Sequence, residues 1–328
     1  MTDLATLPVA VDAMGGDFAP SEIIAGAKRA QEEFGIDVVL VGPPALVGDT
    51  LGLDIVSCTE VIAMDDEPGS SVRTKKDSSL VRTAELVRDA KACAMVSAGN
   101  TGATMGSALL RMGRIKGVQR PCIATKLPRF GRQPGTFVDA GANTECTPAM
   151  LVQFARMASA FATVRYGIEN PTVSLLSNGE ESKKGTALVK ETHELLSASG
   201  LHFVGNCEGR DLLGNSTDVV VTDGFTGNVA LKAMEGTLAL LFGELFKIFG
   251  TNDETKAATD VLLPYLMPIA EQLDPDNAGG AMLLGLEGVC IISHGSSSAK
   301  AIMNAIKVGH DMAVGGVTAS LRQAISGA

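Results

Sequence analysis

The residues of this chain that could do chemistry cluster at five places where an apolar, largely β-branched run stops at a turn rich in Gly, with Asn close by. They read AMVSAGNTGA (94–103), TFVDAGAN (136–143), TVSLLSNGEE (172–181), HFVGNCEG (202–209) and DVVVTDGFTGN (218–228). Such turns offer amides, backbone N–H groups and small hydroxyls far more often than a strong nucleophile. That is the chemistry of a site that holds and positions an oxyanion such as phosphate.

Each candidate has a plainer reading beside it. Asn100, Thr101 and Gly102 stand at an expected helix start, where unpaired donors and the macrodipole favour an anion; Asn100 would otherwise only cap that helix. In SVRTKKDSS (71–79), Arg73, Lys75 and Lys76 supply fixed charge while Ser78 and Ser79 supply hydroxyls, a set suited to phosphate or to an exposed charged loop. Asp223 ends an apolar strand in TDGFTGN, where it could take a proton or cap the next helix. His294, in SHGSSS, is the histidine of the four that sits in a Gly/Ser loop after an apolar strand, and is either catalytic or structural. Asn178, Glu180, Glu181, Lys183 and Lys184 in NGEESKKGT form a salt-bridged loop or contribute a site lysine, with Asn206 and Thr226 on further loops. Ser297 and Lys300 fit S-x-x-K without its companion motifs, and no G-x-G-x-x-G or G-x-x-x-x-G-K-[ST] loop is present.

Short apolar runs bounded by Gly and Asn read as buried parallel strands. The first is expected over Leu7–Asp12, followed by a helix from Ser21 to about Phe34, a strand at 36–42, a helix from Pro44 and a strand near Asp54–Cys58. The polar segment Asp65–Ser79 interrupts this alternation. A helix over Leu80–Lys91 then leads to the strand at 94–98, and four more strand–loop–helix units reach Asn228. This is the pattern of a parallel α/β sheet, in which ligands bind beyond the carboxyl ends of the strands. Val229–Phe249 and a second stretch to about Gln272 form a helical excursion (229–280) within a single domain spanning 1–328. Pro264 and Pro268 should bend or break its second helix, making LPYLMPIA, with Leu263, Tyr265, Leu266 and Met267, an apolar tip. It would pack on the body or a dimer mate, or touch a membrane surface or acyl chain.

The chain has 328 residues, 45% apolar and 20% charged, and is expected to be globular. Its net charge of −10 argues against generic nucleic-acid binding. Yet Ala90–Val138 contains no Asp or Glu and carries Lys91, Arg111, Arg114, Lys116, Arg120, Lys126, Arg129 and Arg132. That stretch could steer an acidic partner, or be a solvated face with acids folded over it. The six cysteines are scattered without metal-ligand spacing, as expected of reduced, buried thiols, and no metal or cofactor is expected. No signal peptide or membrane-spanning run is expected.

Taken in order, VAVDAMGGDFAP (9–20), RTKKDSS (73–79), SAGNTGATMGSALL (97–110), DAGAN (139–143), NGEESKKG (178–185), GNCEGRD (205–211), TDGFTGNVALK (222–232) and SHGSSS (293–298) closely resemble the PlsX family, the acyl-[acyl-carrier-protein]:phosphate acyltransferases of bacterial phospholipid synthesis. The chain departs from the commoner DVGAN and LLNIGEE forms at Ala140, Ser177 and Asn178. The resemblance implies a Rossmann-like α/β/α sandwich with a mostly parallel sheet, similar to phosphotransacetylases and the isocitrate dehydrogenase group. It further implies a cytoplasmic homodimer, able to associate peripherally with membrane, that passes a fatty acyl group from carrier-protein thioester to inorganic phosphate. The acyl phosphate would feed a membrane glycerol-3-phosphate acyltransferase.

Phosphate is itself a nucleophile, so this chemistry needs positioning and oxyanion stabilisation rather than a covalent serine or cysteine. On that basis Arg73, Lys76, Ser78, Asn100, Thr101 and Gly102 are expected to cradle phosphate. Asn143 and Asn228 would face the oxyanion, and Asp223 or His294 would manage the proton passed to the leaving thiolate. The expected carrier-protein dock comprises Arg111, Arg114, Lys116, Arg120, Lys126, Arg129 and Arg132.

Overall fold

A computed structural model describes residues 4–214 and 217–327. Its strands are β1 (Val9–Asp12), β2 (Val38–Gly42), β3 (Asp54–Ser57), β4 (Ala94–Ser97), β5 (Cys122–Leu127), β6 (Gly135–Val138), β7 (Val173–Leu176), β8 (Phe203–Cys207), β9 (Val219–Val221), β10 (Ala281–Leu284) and β11 (Val289–Ile292). The helices are α1 (Ser21–Phe34), α2 (Pro44–Val47), α3 (Pro68–Thr74), α4 (Ser79–Arg88), α5 (Thr101–Met112), α6 (Pro148–Tyr166), α7 (Ala187–Ser197), α8 (Gly224–Phe249), α9 (Asp253–Leu273), α10 (Ala299–Val314) and α11 (Val317–Ser326).

All eleven strands join one sheet in the order β3-β2-β1-β4-β11-β10-β5-β6-β9-β7-β8. The block β3, β2, β1, β4, β11 is parallel, and so is the block β6, β9, β7, β8. Between them β10 and β5 pair antiparallel with each other and with their outer neighbours. Three reversals separate β11 from β6, so the two blocks run in opposite directions. The five Gly/Asn turns therefore do not share one crevice. The turn after β4 lies on one edge of the sheet, and those after β6, β7, β8 and β9 lie on the other.

Alternating side chains feed a layer on each face, giving the three-layer α/β/α sandwich. Ala94 and Val96 pack with α1, α6, α10 and α11 on one side, while Met95 packs with α3, α4 and α5 on the other. On that second side Leu127, Phe137 and Val220 pack against Leu231 and Met234 of α8. Leu231 also joins the cluster that holds Ala103, Met105 and Leu109 of α5 with Ile123 and Leu283 of β5 and β10. The apolar cluster thus extends from α5 to α8 across the sheet.

Two helices differ from the sequence reading. GFTGN is helical, because the Asp223 carboxylate caps α8 by accepting from Thr226 N–H at 2.9 Å. The helix α9 continues through Pro264 and Pro268, and the turn of the α8–α9 hairpin is at 250–252, so LPYLMPIA lies along the returning helix, not at a tip. Tyr265 and Met267 point outward there at 76% and 40% exposure, whereas Leu263 and Leu266 are half-buried on a stripe with Thr255 and Thr259.

Candidate active site

At the first edge the sequence builds a loop around a buried acid. Asp12 ends β1 at 3% exposure. Its Oδ2 accepts from Ser97 Oγ at 2.8 Å, and Ser97 Oγ accepts from Gly99 N–H at 3.0 Å. Burial pushes the Asp12 carboxyl up, against the opposing pull of Ser79, Ser97 and the Met14 N–H. No side chain fits at Gly15, whose Cβ would sit 2.6 Å from Asp12 Oδ2 and 2.7 Å from Gly99 N. The loop delivers Asn100 as the cap of α5, accepting from Ala103 N–H at 3.0 Å and donating to the carbonyls of Met64 at 2.8 Å and Asp66 at 3.2 Å. Asn100 is thereby committed to positioning. The exposed Thr101 and Gly102 follow it with N–H groups that a helix start leaves without intrahelical partners.

The expected cluster of cations and hydroxyls does not assemble. Ser78 is fully buried and caps α4 through Val81 N–H, because a hydroxyl before a helix satisfies an orphan donor there. Lys75 is tied to Asp66 at 2.5 Å. Arg73 and Lys76 face outward, Arg73 on a helix that packs against α5.

The second edge is organised by Asp139, which is also fully buried. Its carboxylate accepts from the backbone N–H groups of Ile123, Gly141, Ala142 and Asn143, and from Asn143 Nδ2, at 2.8–3.2 Å. Burial pushes this carboxyl up while those donors oppose the shift. Asn143 spends its amide on Asp139 and on the Pro121 carbonyl, both at 2.8 Å, so it shapes the loop and does not donate to an oxyanion. Asn228 donates one amide hydrogen to the Ala140 carbonyl at 3.2 Å and is exposed, which leaves a second donor facing out. Asp223 and Thr226 occupy each other, hydroxyl to carboxylate at 2.8 Å. Gly227 lets α8 lie on this loop, since a Cβ there would run into the Asp139 carbonyl oxygen.

Asn206 lies within β8, opposite Leu175 of β7, and not on a loop; it bridges the Glu181 carbonyl and His193 at 3.0 Å each. Glu180 pairs with Arg210 at 3.5 Å, and Lys184 folds over Gly179 while Asn178 is exposed. Glu180 thus pairs outside NGEESKKGT, with Arg210 and not with Lys183 or Lys184.

Sequence reasoning missed what joins the edges. From Gly224 to Lys232, α8 rises about 12 Å, about the length of a four-residue strand. Lys232 Nζ thereby reaches His294 Nε2, past the end of β11, at 3.1 Å, and pairs with Glu235 at 2.8 Å. Burial pushes the Glu235 carboxyl up, but His294 and Lys232 outweigh it and hold it below its ordinary value. The i, i+4 spacing of Asn228 and Lys232 was the available signal, as was the VDA tripeptide that carries both Asp12 and Asp139.

The basic stretch divides. Arg114 and Arg120 line an open groove of 510 Å³ with Leu109, Gln119 and Pro121, one residue of which receives the Asn143 amide. Lys116 and Arg132 are exposed, and Arg111 turns to Glu85 at 3.7 Å. Lys126 and Arg129 do not belong to this surface. Lys126 is half-buried beneath the hairpin, where burial and Arg165 hold its ammonium below the ordinary range. Arg129, 3% exposed, forms an internal ion pair with Asp218 at 2.7 Å, and Asp218 also accepts from Thr172. Burial pushes the thiols of Cys58, Cys93 and Cys146 up to about 11 and those of Cys207 and Cys290 to about 12, so they stay protonated near neutrality.

Solved structures share this architecture. A phosphotransacetylase from Streptococcus pyogenes superposes with a TM-score of 0.63 at 18% identity, covering 95% of both chains. The EutD phosphotransacetylase from Staphylococcus aureus gives 0.61 at 17%, covering 95% of this chain and 96% of that one. The fold is thus that of the phosphotransacetylase class. Residues 7–320 match the family described as "Fatty acid synthesis protein", and the chain is 44% identical to the phosphate acyltransferase of Pelotomaculum thermopropionicum over 326 residues, 97% of this chain and 95% of that protein. The chain belongs to the phosphate acyltransferase family, a family of enzymes.

Proposed function

We propose that this enzyme moves a long fatty acyl group from acyl carrier protein to inorganic phosphate. The observation that carries the reading is the surface along the apolar cluster that α5 and α8 share. It offers exposed helix-start N–H groups at one end and the free Asn228 donor towards the other, with every described thiol held protonated or buried. A phosphate oxygen attacks the thioester carbon, the C–O bond forms, the C–S bond breaks, and the proton of hydrogen phosphate passes to the thiolate by way of His294. Donors in fixed positions stabilise the tetrahedral oxyanion without reorganising.

The groove at Arg114 and Arg120 suits an acidic carrier protein, and it opens beside the Asn143 loop where the thioester is needed. No helix among the described residues is long and apolar enough to cross a membrane. The hairpin nevertheless exposes Leu240, Leu241, Phe246, Ile248, Val261, Leu262, Tyr265 and Met267. In this reading its flank pairs with a second copy in a homodimer. Its outward residues rest on the inner face of the cytoplasmic membrane, where the acyl phosphate is passed to a glycerol-3-phosphate acyltransferase for phospholipid synthesis. The test compares acyl phosphate formation from palmitoyl carrier protein and from acetyl-CoA, each with phosphate. Exclusive use of acetyl-CoA overturns the carrier-protein reading, and membrane binding without acyl phosphate overturns catalysis.

A further inference from the structure

Lys232 belongs to the second half of the fold but acts at the first. An exposed i, i+3 Lys–Glu pair contributes little wherever it occurs. Here the ammonium also meets His294, and the His294 loop is knitted to the loops that open α5. Ser293 N–H donates to the Ser97 carbonyl at 2.9 Å and Asp17 N–H to the Gly295 carbonyl at 2.7 Å. Met64, whose carbonyl anchors Asn100, packs its methyl against Gly295. Lys232 Nζ is thereby linked through His294 to the loops that open α5, whose first N–H groups belong to Thr101 and Gly102.

We infer that Lys232 is the cation that binds the attacking phosphate, leaving Glu235 to do so, and that α8 thereby holds both reactants. The assignment rests on the phosphorolysis reading above. Asn228 lies one turn earlier on the same helix face, and residues at i and i+4 are about 6 Å apart. A phosphate on Lys232 and a thioester carbonyl on Asn228 are then near neighbours, as direct attack requires. The carboxylate paired with the ammonium is that of Glu235, while Asp17 lies against Gly295 on the adjoining loop. A phosphate dianion must therefore compete with Glu235 for Lys232, and this fixes the sign of a test. Lys232 keeps its proton throughout, while the phosphate's proton goes to the thiolate.

Initial rates of acyl phosphate formation, trapped with hydroxylamine, are measured for the wild type, Lys232→Met, Lys232→Arg and Glu235→Gln while phosphate and palmitoyl carrier protein are varied separately. Lys232→Met should raise the KM for phosphate roughly 10- to 100-fold, the loss expected of one charge-assisted hydrogen bond. The KM for the carrier protein should change less than about twofold, and Lys232→Arg should recover most of the loss. Glu235→Gln should lower the KM for phosphate. Equal effects of Lys232→Met on both substrates, or a Glu235→Gln change that weakens phosphate as Lys232→Met does, overturns the assignment. If Lys232→Met melts early, Lys232→Gln takes its place under the same criteria. A wild type that forms no acyl phosphate overturns the functional reading itself, which is a separate failure.

Discussion

The two carboxyl edges of the sheet are each built around a buried aspartate, yet by different means. Asp12 is met by the hydroxyls of Ser97 and Ser79 and by a long bond from Met14 N–H at 3.3 Å. Asp139 is met by four backbone N–H groups and an amide. A hydroxyl rotates and can accept as well as donate, whereas a backbone N–H can only donate along a fixed direction. The Arg129–Asp218 pair belongs to neither loop, since it ties the chain leaving β5 to the amino end of β9. The difference suits a division of labour. The rigid edge frames the oxyanion, and the adaptable edge receives a small anion that comes and goes.

The largest effect is expected at the far end of β6 and β9 from Asp139, where Arg129→Met strands the Asp218 carboxylate and should cost about 3–5 kcal/mol in urea unfolding. Carrier-protein affinity should be no more affected than other activities. Burial raises the Asp218 carboxyl, but Arg129 and Thr172 outweigh it and leave it below its ordinary value. The pair's contribution is therefore full above about pH 3.9 and is lost as the pH falls through the lower folded value. The variant should lack that acid window.

Gly227→Ala, which wedges α8 off the Asp139 loop, should cost about 2–3 kcal/mol and reduce turnover roughly 100-fold. A variant with wild-type rates would show that the seating of α8 does not matter. Asp139→Asn should cost about 2 kcal/mol, because an amide NH₂ then faces N–H groups that cannot turn away. Asp12→Asn should cost about 1 kcal/mol, because its hydroxyls re-pair. Equal costs in the two variants would break the comparison. The smallest effect is expected outside both edges. Tyr265→Ser with Met267→Ser should shift stability by less than about 0.5 kcal/mol and leave turnover of soluble donor intact while reducing liposome flotation.

Much of the sheet was legible because the parallel strands are short β-branched runs ending in Gly or Asn, as in Val219–Val221 before Asp223. The two central strands were not. Cys122–Leu127 lies inside the basic stretch, and Ala281–Leu284 reads AMLL, which suits a helix as well as a strand. Missing them hid the reversal of direction, and so five turns looked like one site. Candidate residues were found where polarity sits in an apolar context, as with Asn228 and His294. Their states were not, because whether Asp223 caps or catalyses depends on a helix start that GFTGN conceals behind two glycines. Lys232 was hidden for the same reason, since only the course of α8 across the sheet brings it to His294.

That course has a mechanical consequence. Treated as a rigid rod pivoting at Gly227, α8 extends about 33 Å to Phe249 but only about 7.5 Å to Lys232. It is a lever with a ratio of roughly four to one. A sideways displacement of about 4 Å at the far end of the arm moves the lysine by about 1 Å, enough to cost roughly 100-fold in a positioned reaction. Whatever grips the outer half of the hairpin therefore also trims the alignment of the two reactants.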